Sequence, residues 1–311
     1  MSRAVVVEAH AKLNLGLAVG PRRPDGFHDL VTVFQSVSLA DTLAIERRTR
    51  GFTLSIRDED AAVRRGARGR VPEAAVPTGA DNLVLQAARR LARHAALRGG
   101  AHFRLTKRIP AGAGLGGGSA DAAAALVGLA RLYGLRLGVA ERLELAAGLG
   151  ADVPFAATGG TALGLGRGER LRRLRLARPF RALIAVPAWR VSTAEAFARI
   201  DRGKYGLTAW GAKLRFGQSL GREGVTTDRA LRLGNIFETV LGRRRSDFDS
   251  LRERLRAAGV AHPRLTGSGS AVFGILETGS AVDSVVTRFR GPERLFFVRS
   301  VQGGVRVTMQ R

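Results

Sequence analysis

Five glycines fall within seven residues of the segment 110–119, between a predicted strand and a predicted helix: Gly112, Gly114, Gly116, Gly117 and Gly118. Each glycine costs roughly 0.5–1 kcal/mol of ordering entropy relative to alanine, so the cluster needs a physical reason. A phosphate group supplies one, because bare backbone N–H groups can surround it and the following helix presents its positive dipole end to it. We interpret the segment as a phosphate-binding loop; the alternative is a flexible small-residue loop without a ligand.

The loop fits neither of two common nucleotide-binding motifs. The spacing from Gly112 to Gly117 matches the dinucleotide-binding fingerprint, but that motif needs an acidic residue about twenty positions further on, where this chain has Arg136. A Walker A loop needs a lysine where Gly118 stands. A third kind of phosphate loop remains.

Phosphoryl transfer from a nucleotide bound by such a loop needs a base for the attacking oxygen and a positive charge, and two further residues could supply them. Asp152 lies between a predicted helix end and Pro154, where it can face a cleft as a base. Lys12 and Asn14 lie on a strand with a period of two, so they project from the same face. Lys12 could orient the Asp152 carboxylate, keep it ionised and steady the attacking oxygen. The alternatives are a turn aspartate that bonds its own backbone and a solvated strand lysine.

The predicted elements place these residues at the ends of strands and helices. Residues 58–78 lose the apolar periodicity, which indicates an exposed excursion, and Pro154 should prevent a helix from continuing past it. Strands and helices mix without regular alternation, which favours an α+β fold in two domains over a doubly wound sheet. We predict strands over 10–19, 31–39, 42–47, 101–108, 183–186 and 271–276, and a turn at 158–161. We predict four helices: one over 82–97, one that begins with Ser119 as its N-cap, one from Val139 to Gly148 or Gly150, and one over 246–258 that begins with a capping box at Ser246.

The glycine segment resembles the phosphate loop of the GHMP small-molecule kinases, and the resemblance extends from about residue 9 to residue 276. Further segments narrow it to a member whose substrate is a cytidine diphosphate-linked sugar alcohol of the non-mevalonate isoprenoid route. These segments are Ala-Lys-Leu-Asn-Leu at 11–15, Asp-Gly-Phe-His-Asp-Leu at 25–30, Gly-Ala-Asp-Val-Pro-Phe at 150–155 and Leu-Thr-Gly-Ser-Gly-Ser at 265–270.

The resemblance implies a two-domain GHMP kinase fold, with a ribosomal protein S5 domain 2-like ATP-binding domain over 1–163 and a ferredoxin-like substrate-side domain over 164–311. It implies Lys12 and Asp152 as the catalytic pair. Phe27 would stack on cytosine and His28 would read its edge. The implied ATP-binding residues are Pro110, Ala111, Gly112, Ala113, Gly114, Leu115, Gly116, Gly117, Gly118, Ser119 and Ala120. The implied substrate-binding residues are Asn14, Phe27, His28, Thr193, Phe197, Gly267 and Ser268.

The resemblance also implies Mg²⁺ bound with ATP, mostly by phosphate oxygens and water, with Ser119 as a candidate ligand and no dedicated metal cluster. Ala113 stands where the family often has glycine, so a positive φ there would be strained and would weaken ATP binding. The alternatives are a kinase of the same family for another alcohol, such as homoserine, or a decarboxylase relative.

The amino-acid composition excludes several other classes of protein. The 311 residues carry a net charge of +25, have 45% hydrophobic residues and contain no Cys, which excludes disulfides and thiolate chemistry. The arginines are scattered without a nucleic-acid-binding motif, so we expect no nucleic-acid partner, although a basic nucleic-acid-binding protein is the last alternative. Only four of the 51 basic residues are Lys, and Lys12 and Lys107 lie in the segments above. No membrane span or secretory signal is apparent, so we expect a cytoplasmic protein. For its oligomeric state, a monomer and a homodimer both stay open.

Overall fold

The structure is a computed structural model that describes residues 4–59, 76–203, 209–220, 224–277 and 282–310. Within these ranges a seven-stranded sheet has the order β11-β1-β2-β4-β3, with β5 paired to β2 and β6 paired to β5. Every pairing in it is antiparallel except that of β3 with β4. Its strands are β1 (Ala4–Arg22), β2 (His28–Arg48), β3 (Phe52–Asp58), β4 (Gly100–Lys107), β5 (Thr161–Gly166), β6 (Arg170–Leu174) and β11 (Val305–Gln310).

The two longest strands, β1 and β2, form the centre of this sheet. The alternation from His10 to Val19 predicted a strand, and β1 confirms it. The prediction of two strands over 31–39 and 42–47 is wrong, because β2 runs through both without a break. The pairing register shifts between His10 and Lys12, whose partners in β2 are Ala40 and Ser36, so the extra residues form an irregularity within the strand.

Four helices of the first half are α1 (Leu83–His94), α2 (Gly117–Tyr133), α3 (Val139–Ala147) and α4 (Val153–Thr158). Helix α2 packs on β1, β2 and α1, and its buried alanines allow this close approach. The prediction that Ser119 caps α2 is wrong, because the helix begins at Gly117 and its N-cap, Gly116, is left-handed. The helix predicted from Val139 ends at Ala147 with Gly148 as its C-cap, as expected, but the sequence did not predict that a new helix, α4, begins at Val153. Proline lacks only an N–H that the first turn does not use, so Pro154 lies in the first turn of α4.

The second sheet has four antiparallel strands in the order β10-β7-β9-β8: β7 (Arg181–Val186), β8 (Val260–Leu265), β9 (Val272–Leu276) and β10 (Arg294–Arg299). With helices between β7 and β8 and between β9 and β10, this is the ferredoxin-like arrangement that was expected. The helices are α5 (Thr193–Gly203), α6 (Trp210–Ser219), α7 (Thr227–Leu231), α8 (Arg245–Ala257) and α9 (Val282–Arg288), with short 3₁₀ turns at Ile236–Val240 and Gly242–Arg244. The predicted capping box at Ser246 is wrong, since α8 begins at Arg245 and its N-cap, Arg244, makes no side-chain cap bond.

The first sheet contains strands from both sides of the predicted boundary. Strands β6 and β11 follow residue 163 in the sequence but lie in the first sheet, where β11 pairs with β1. The division between residues 163 and 164 itself stays a prediction. The predicted excursion over 58–78 falls largely on residues 60–75, outside the described residues. No helix within the described ranges is long and apolar enough to cross a membrane.

Candidate active site

Two cavities, each of about 450 Å³, meet at the glycine loop between β4 and α2. We call them the Lys12 cavity and the Lys107 cavity, after the lysine that lines each. Both include Gly112, Gly114, Gly116 and Ser119 in their walls. The loop therefore separates two spaces, each large enough for part of a small-molecule ligand.

The loop has the backbone conformation that its glycines suggested. Gly112, Gly114 and Gly116 have φ values of 68°, 82° and 72°, which side chains rarely adopt. A methyl group on Gly114 would lie 2.3 Å from the Thr266 carbonyl oxygen. The curl is therefore fixed both by left-handed conformations and by the close approach of the second half of the chain.

Ala113 does not carry the strain that was anticipated, because its φ is not positive. Its carbonyl accepts a hydrogen bond of 3.0 Å from the Ala271 amide, and the Leu115 carbonyl accepts one of 3.0 Å from the Lys12 amide. These carbonyls therefore point into the protein.

Lys12 and Asp152 face each other in the Lys12 cavity. Lys12 Nζ lies 3.4 Å from Asp152 Oδ2, and their side chains are 9% and 33% exposed. Asp152 is the N-cap residue of α4 but makes no side-chain cap bond, so its carboxylate is not occupied by its own backbone. This geometry puts an ammonium group and an accessible carboxylate beside the glycine loop.

Lys12 is held by a buried chain of polar side chains. Its ammonium group donates to Asn14 Oδ1, and Asn14 Nδ2 donates to Thr32 Oγ1 over 2.7 Å. Thr32 Oγ1 in turn donates to the Gly16 carbonyl over 2.8 Å. Because each of these hydrogen bonds has a defined donor and acceptor, together they fix the amide orientation of Asn14 and the position of the Lys12 ammonium group.

Aromatic side chains line the other end of the Lys12 cavity. Phe27 is 53% exposed there, and the ring of His28 stacks on Phe197 with 5.1 Å between centroids. The Gly20 carbonyl can only accept, so His28 Nδ1, 3.0 Å away, donates to it, and Nε2 lies 3.2 Å from Asp201 Oδ1, to which it donates only when the ring is protonated on both nitrogens. Both ring nitrogens therefore have protein partners, and His28 can read a base edge only after Asp201 moves away.

The second half closes the Lys12 cavity with a glycine turn. Gly267 and Ser268 line the cavity, and Ser268 Oγ lies 2.7 Å from Thr193 Oγ1. Asn235 Nδ2 donates to the carbonyls of Leu265 and Gly267, each over 2.9 Å, which holds the turn in place. Both halves of the chain thus contribute to one cavity.

A buried charged cluster lies beneath the loop, in the wall of the Lys107 cavity. The Lys107 ammonium group donates to Asp41 Oδ2 and to Asp121 Oδ2, the latter over 2.7 Å. Asp41 Oδ1 also accepts from the amides of Arg108 and Ile109 at 2.6 and 2.9 Å. Asp121 Oδ1 is buried and has no hydrogen-bond partner among the described residues.

Burial controls the charge of this cluster. It raises the pKa of Asp121 to about 8, and the nearby Asp41 adds to the rise, although Lys107 opposes it. For Lys107, burial lowers the pKa, but Asp121 and Asp41 raise it more, so the net shift is upward. One ammonium group between two carboxylates leaves one of them to hold a proton, and Asp121, with fewer donors around it, is that carboxyl.

The structure brings the predicted residues together in two groups. The Lys12 cavity is lined by the predicted catalytic and substrate residues, which are Lys12, Asn14, Phe27, His28, Asp152, Thr193, Phe197, Gly267 and Ser268. The Lys107 cavity is lined by Pro110, Ala111, Gly112, Ala113, Gly114, Leu115, Gly116, Gly117, Gly118 and Ser119. Ala120 does not reach either cavity and is buried in α2.

Sequence reasoning missed several residues of the site. Asp41, Asp121 and Thr32 carry no motif of their own, and only the rarity of lysine drew attention to Lys107. Arg167, between β5 and β6, also lines the Lys12 cavity, and only its place among glycines marks it.

The fold and the glycine loop define a class of protein. Models of the GHMP kinases N-terminal domain and C-terminal domain match residues 82–160 and 215–292. The structure is also similar to that of a homoserine kinase from Cytophaga hutchinsonii, with a TM-score of 0.70 and 18% identity over 98% of this chain and 97% of that one. That likeness shows the shared fold, which is the GHMP kinase fold.

Relatives of higher sequence identity show which of the GHMP kinases this chain resembles. The chain is 38% identical over 291 residues to the 4-diphosphocytidyl-2-C-methyl-D-erythritol kinase of Pelotomaculum thermopropionicum, covering 93% of this chain and 95% of that protein. It is 39% identical over 310 residues to the Nocardia farcinica protein of the same name, covering 97% and 94%. A crystal structure of a 4-(cytidine 5′-diphospho)-2C-methyl-D-erythritol kinase matches with a TM-score of 0.73 and 32% identity over 96% of this chain and all of that one. The chain belongs to the 4-diphosphocytidyl-2-C-methyl-D-erythritol kinase family.

Proposed function

We propose that the chain transfers the γ-phosphoryl group of ATP to the 2-hydroxyl of 4-diphosphocytidyl-2-C-methyl-D-erythritol, a step of the non-mevalonate route to isoprenoid precursors. The observation that carries the proposal is the Lys12–Asp152 pair, 3.4 Å apart, beside the glycine loop that separates the two cavities. ATP phosphates against the loop and an acceptor in the Lys12 cavity would meet at this pair.

Each residue then has a role in the transfer. Asp152 accepts the proton of the acceptor hydroxyl, and the oxygen attacks the γ-phosphorus as the bond to ADP breaks. Lys12 offers positive charge to the attacking oxygen, and Asn14 keeps the ammonium group in position. The loop amides and the N-terminus of α2 bind the ATP phosphates.

Mg²⁺ would enter with ATP. Among the described residues, no group of three or more His, Asp or Glu side chains is arranged to hold a metal ion, so phosphate oxygens and water would supply most ligands. Ser119, which lines both cavities, is the protein ligand we propose. When bound, Mg²⁺ neutralises phosphate charge.

Recognition of the cytidine group would fall to the aromatic end of the Lys12 cavity. Phe27 and Phe197 offer faces for stacking, and Thr193, Gly267 and Ser268 come from the substrate-side half. We further propose that the chain passes from one domain, 1–163, to the other, 164–311, near residue 163, with β6 and β11 returning to the first sheet, and that the enzyme is a cytoplasmic monomer or homodimer without a nucleic-acid partner.

The test is ADP release from ATP with 4-diphosphocytidyl-2-C-methyl-D-erythritol, compared with homoserine and mevalonate as acceptors. We expect turnover with the cytidylyl substrate alone, inhibition by CDP, and loss of turnover in Asp152→Asn. Turnover with homoserine or mevalonate but not with the cytidylyl substrate would overturn the proposed acceptor and leave only the family.

A further inference from the structure

Arg167 stands out among the charged residues that line the Lys12 cavity. Lys12 is paired with Asp152, and His28 with Asp201. No carboxylate of the described residues lies within ion-pair distance of the Arg167 guanidinium; the Glu169 carboxylate instead accepts from the Arg167 backbone amide over 2.6 Å. A partly buried guanidinium that lines a cavity and has no counter-charge among the described residues is available to bind an anion in that cavity.

The backbone around Arg167 is built to fix this side chain. Gly166 and Gly168 on either side have φ values of 70° and 108°, so the chain turns tightly at Arg167. The guanidinium carbon then lies 4.8 Å from the centroid of the exposed Phe27 ring. Stacking on the ring orients the guanidinium plane and leaves its N–H groups free to bind a ligand.

The position along the cavity identifies the anion. Under the proposed function, on which this inference rests, the base lies at the aromatic end and the reacting hydroxyl lies at Lys12 and Asp152. The diphosphate joins these two parts, so it must pass between them. Arg167 lies at the aromatic end of this cavity, against Phe27, and no ion pair joins its guanidinium to a carboxylate of the described residues. A guanidinium binds phosphate oxygens through two parallel hydrogen bonds, and the diphosphate of a nucleoside held at that end would enter the same cavity.

We propose that Arg167 binds the diphosphate of the acceptor and so sets the preference for a cytidine diphosphate derivative over a neutral cytidine derivative. It would act on substrate binding and not on the chemical step. The residue is a specificity determinant that neither the glycine loop nor the Lys12–Asp152 pair supplies.

The test is calorimetric titration of the full chain with CDP and with cytidine, which needs no turnover. In Arg167→Gln we expect the Kd for CDP to rise about tenfold or more, which is the loss of one charge-assisted contact, and the Kd for cytidine to change less than twofold. Arg167→Lys should recover part of the CDP affinity because it keeps the charge. Arg173→Gln, on the exposed side of β6, is the matched control and should change neither Kd.

Any other result of the titrations would contradict the role proposed for Arg167. Equal weakening of CDP and cytidine would mean that Arg167 only supports Phe27, and unchanged CDP affinity would mean that the diphosphate binds elsewhere; both overturn this inference and leave the proposed function intact. A wild-type chain that binds neither compound overturns the proposed acceptor and the inference together.

Discussion

Lys12 Nζ lies 3.4 Å from Asp152 Oδ2, although β1 carries the lysine and the N-cap of α4 carries the aspartate. The aspartate makes no bond to its own helix, and the lysine is held by Asn14. The pair is therefore assembled by the fold, with one member fixed and the other partly exposed to the Lys12 cavity.

Removing the carboxylate charge should abolish most turnover. Asp152→Asn keeps the shape but cannot accept the hydroxyl proton, so we expect kcat to fall by about 10²–10⁴ in the ADP-release assay. The KM for ATP should change little, because we propose that the ATP phosphates bind the glycine loop and not Asp152. Circular dichroism should match the wild type, and a kcat within threefold of the wild type would rule out Asp152 as the base.

Lys12→Met should also lower kcat, by roughly 10²–10³, because it removes positive charge beside the attacking oxygen but retains the aliphatic stem that packs near Gly116. Lys213→Met is the matched control, since Lys213 donates to the Leu233 carbonyl over 2.8 Å away from both cavities. Equal losses in the two variants would show that Lys12 acts on the fold and not on the reaction.

Within the glycine loop, substitution by alanine should weaken ATP binding at a glycine with a positive φ but not at Gly118, where a side chain fits. Gly114→Ala places a methyl group 2.3 Å from the Thr266 carbonyl oxygen at a φ of 82°, so we expect the KM for ATP to rise at least about tenfold. Gly118→Ala meets only Leu83 at 3.6 Å and should bind ATP normally. Similar KM values for ATP in the two variants would contradict a structured phosphate cradle.

Local patterns in the sequence predicted the parts of the site that depend on local geometry. Alternation along β1 placed Lys12 and Asn14 on one face, and the glycine spacing predicted the curl of the loop. The wrong cap at Ser119 and the missed helix start at Val153 were also local, because serine and proline each fit more than one position at a helix start.

Contacts between segments that are distant in the sequence could not be predicted from local sequence patterns. The pairing of Lys12 with Asp152 rested on a family resemblance, since nothing in either segment specifies the other. The cluster of Lys107, Asp41 and Asp121 was not predicted at all, because its members lie in β4, β2 and α2 and meet only through the sheet and the helix packed on it.

Thr32 should act on catalysis through Asn14. Thr32→Val keeps the volume but leaves Asn14 Nδ2 without its acceptor, so we expect unfolding free energy to fall by about 1–3 kcal/mol and kcat to fall by about tenfold, with an unchanged KM for ATP. Thr161→Val is the control, because Thr161 is equally buried and donates to Gln35 Oε1 over 2.6 Å, outside both cavities. Loss of kcat in both variants would indicate general destabilisation.

The cluster under the loop should make stability depend on pH. Burial raises the pKa of Asp121 from 3.8 to about 8, so between these values the folded state binds a proton that the unfolded state has released. Stability therefore decreases as pH rises through this window. The contribution of Asp121 is fully present below pH 3.8 and is lost as pH rises through about 8.

Asp121→Asn removes this titration because the amide stays neutral and keeps the shape of the protonated carboxyl. Urea unfolding at pH 5, 6, 7 and 8 should give a difference between variant and wild type that grows with pH in favour of the variant, with a limiting slope of about 1.4 kcal/mol per pH unit. Asp283→Asn, on the exposed side of α9, should follow the wild type at every pH. A constant difference between Asp121→Asn and the wild type would mean that Asp121 is ionised throughout this range, and that the Lys107 ammonium group neutralises both carboxylates.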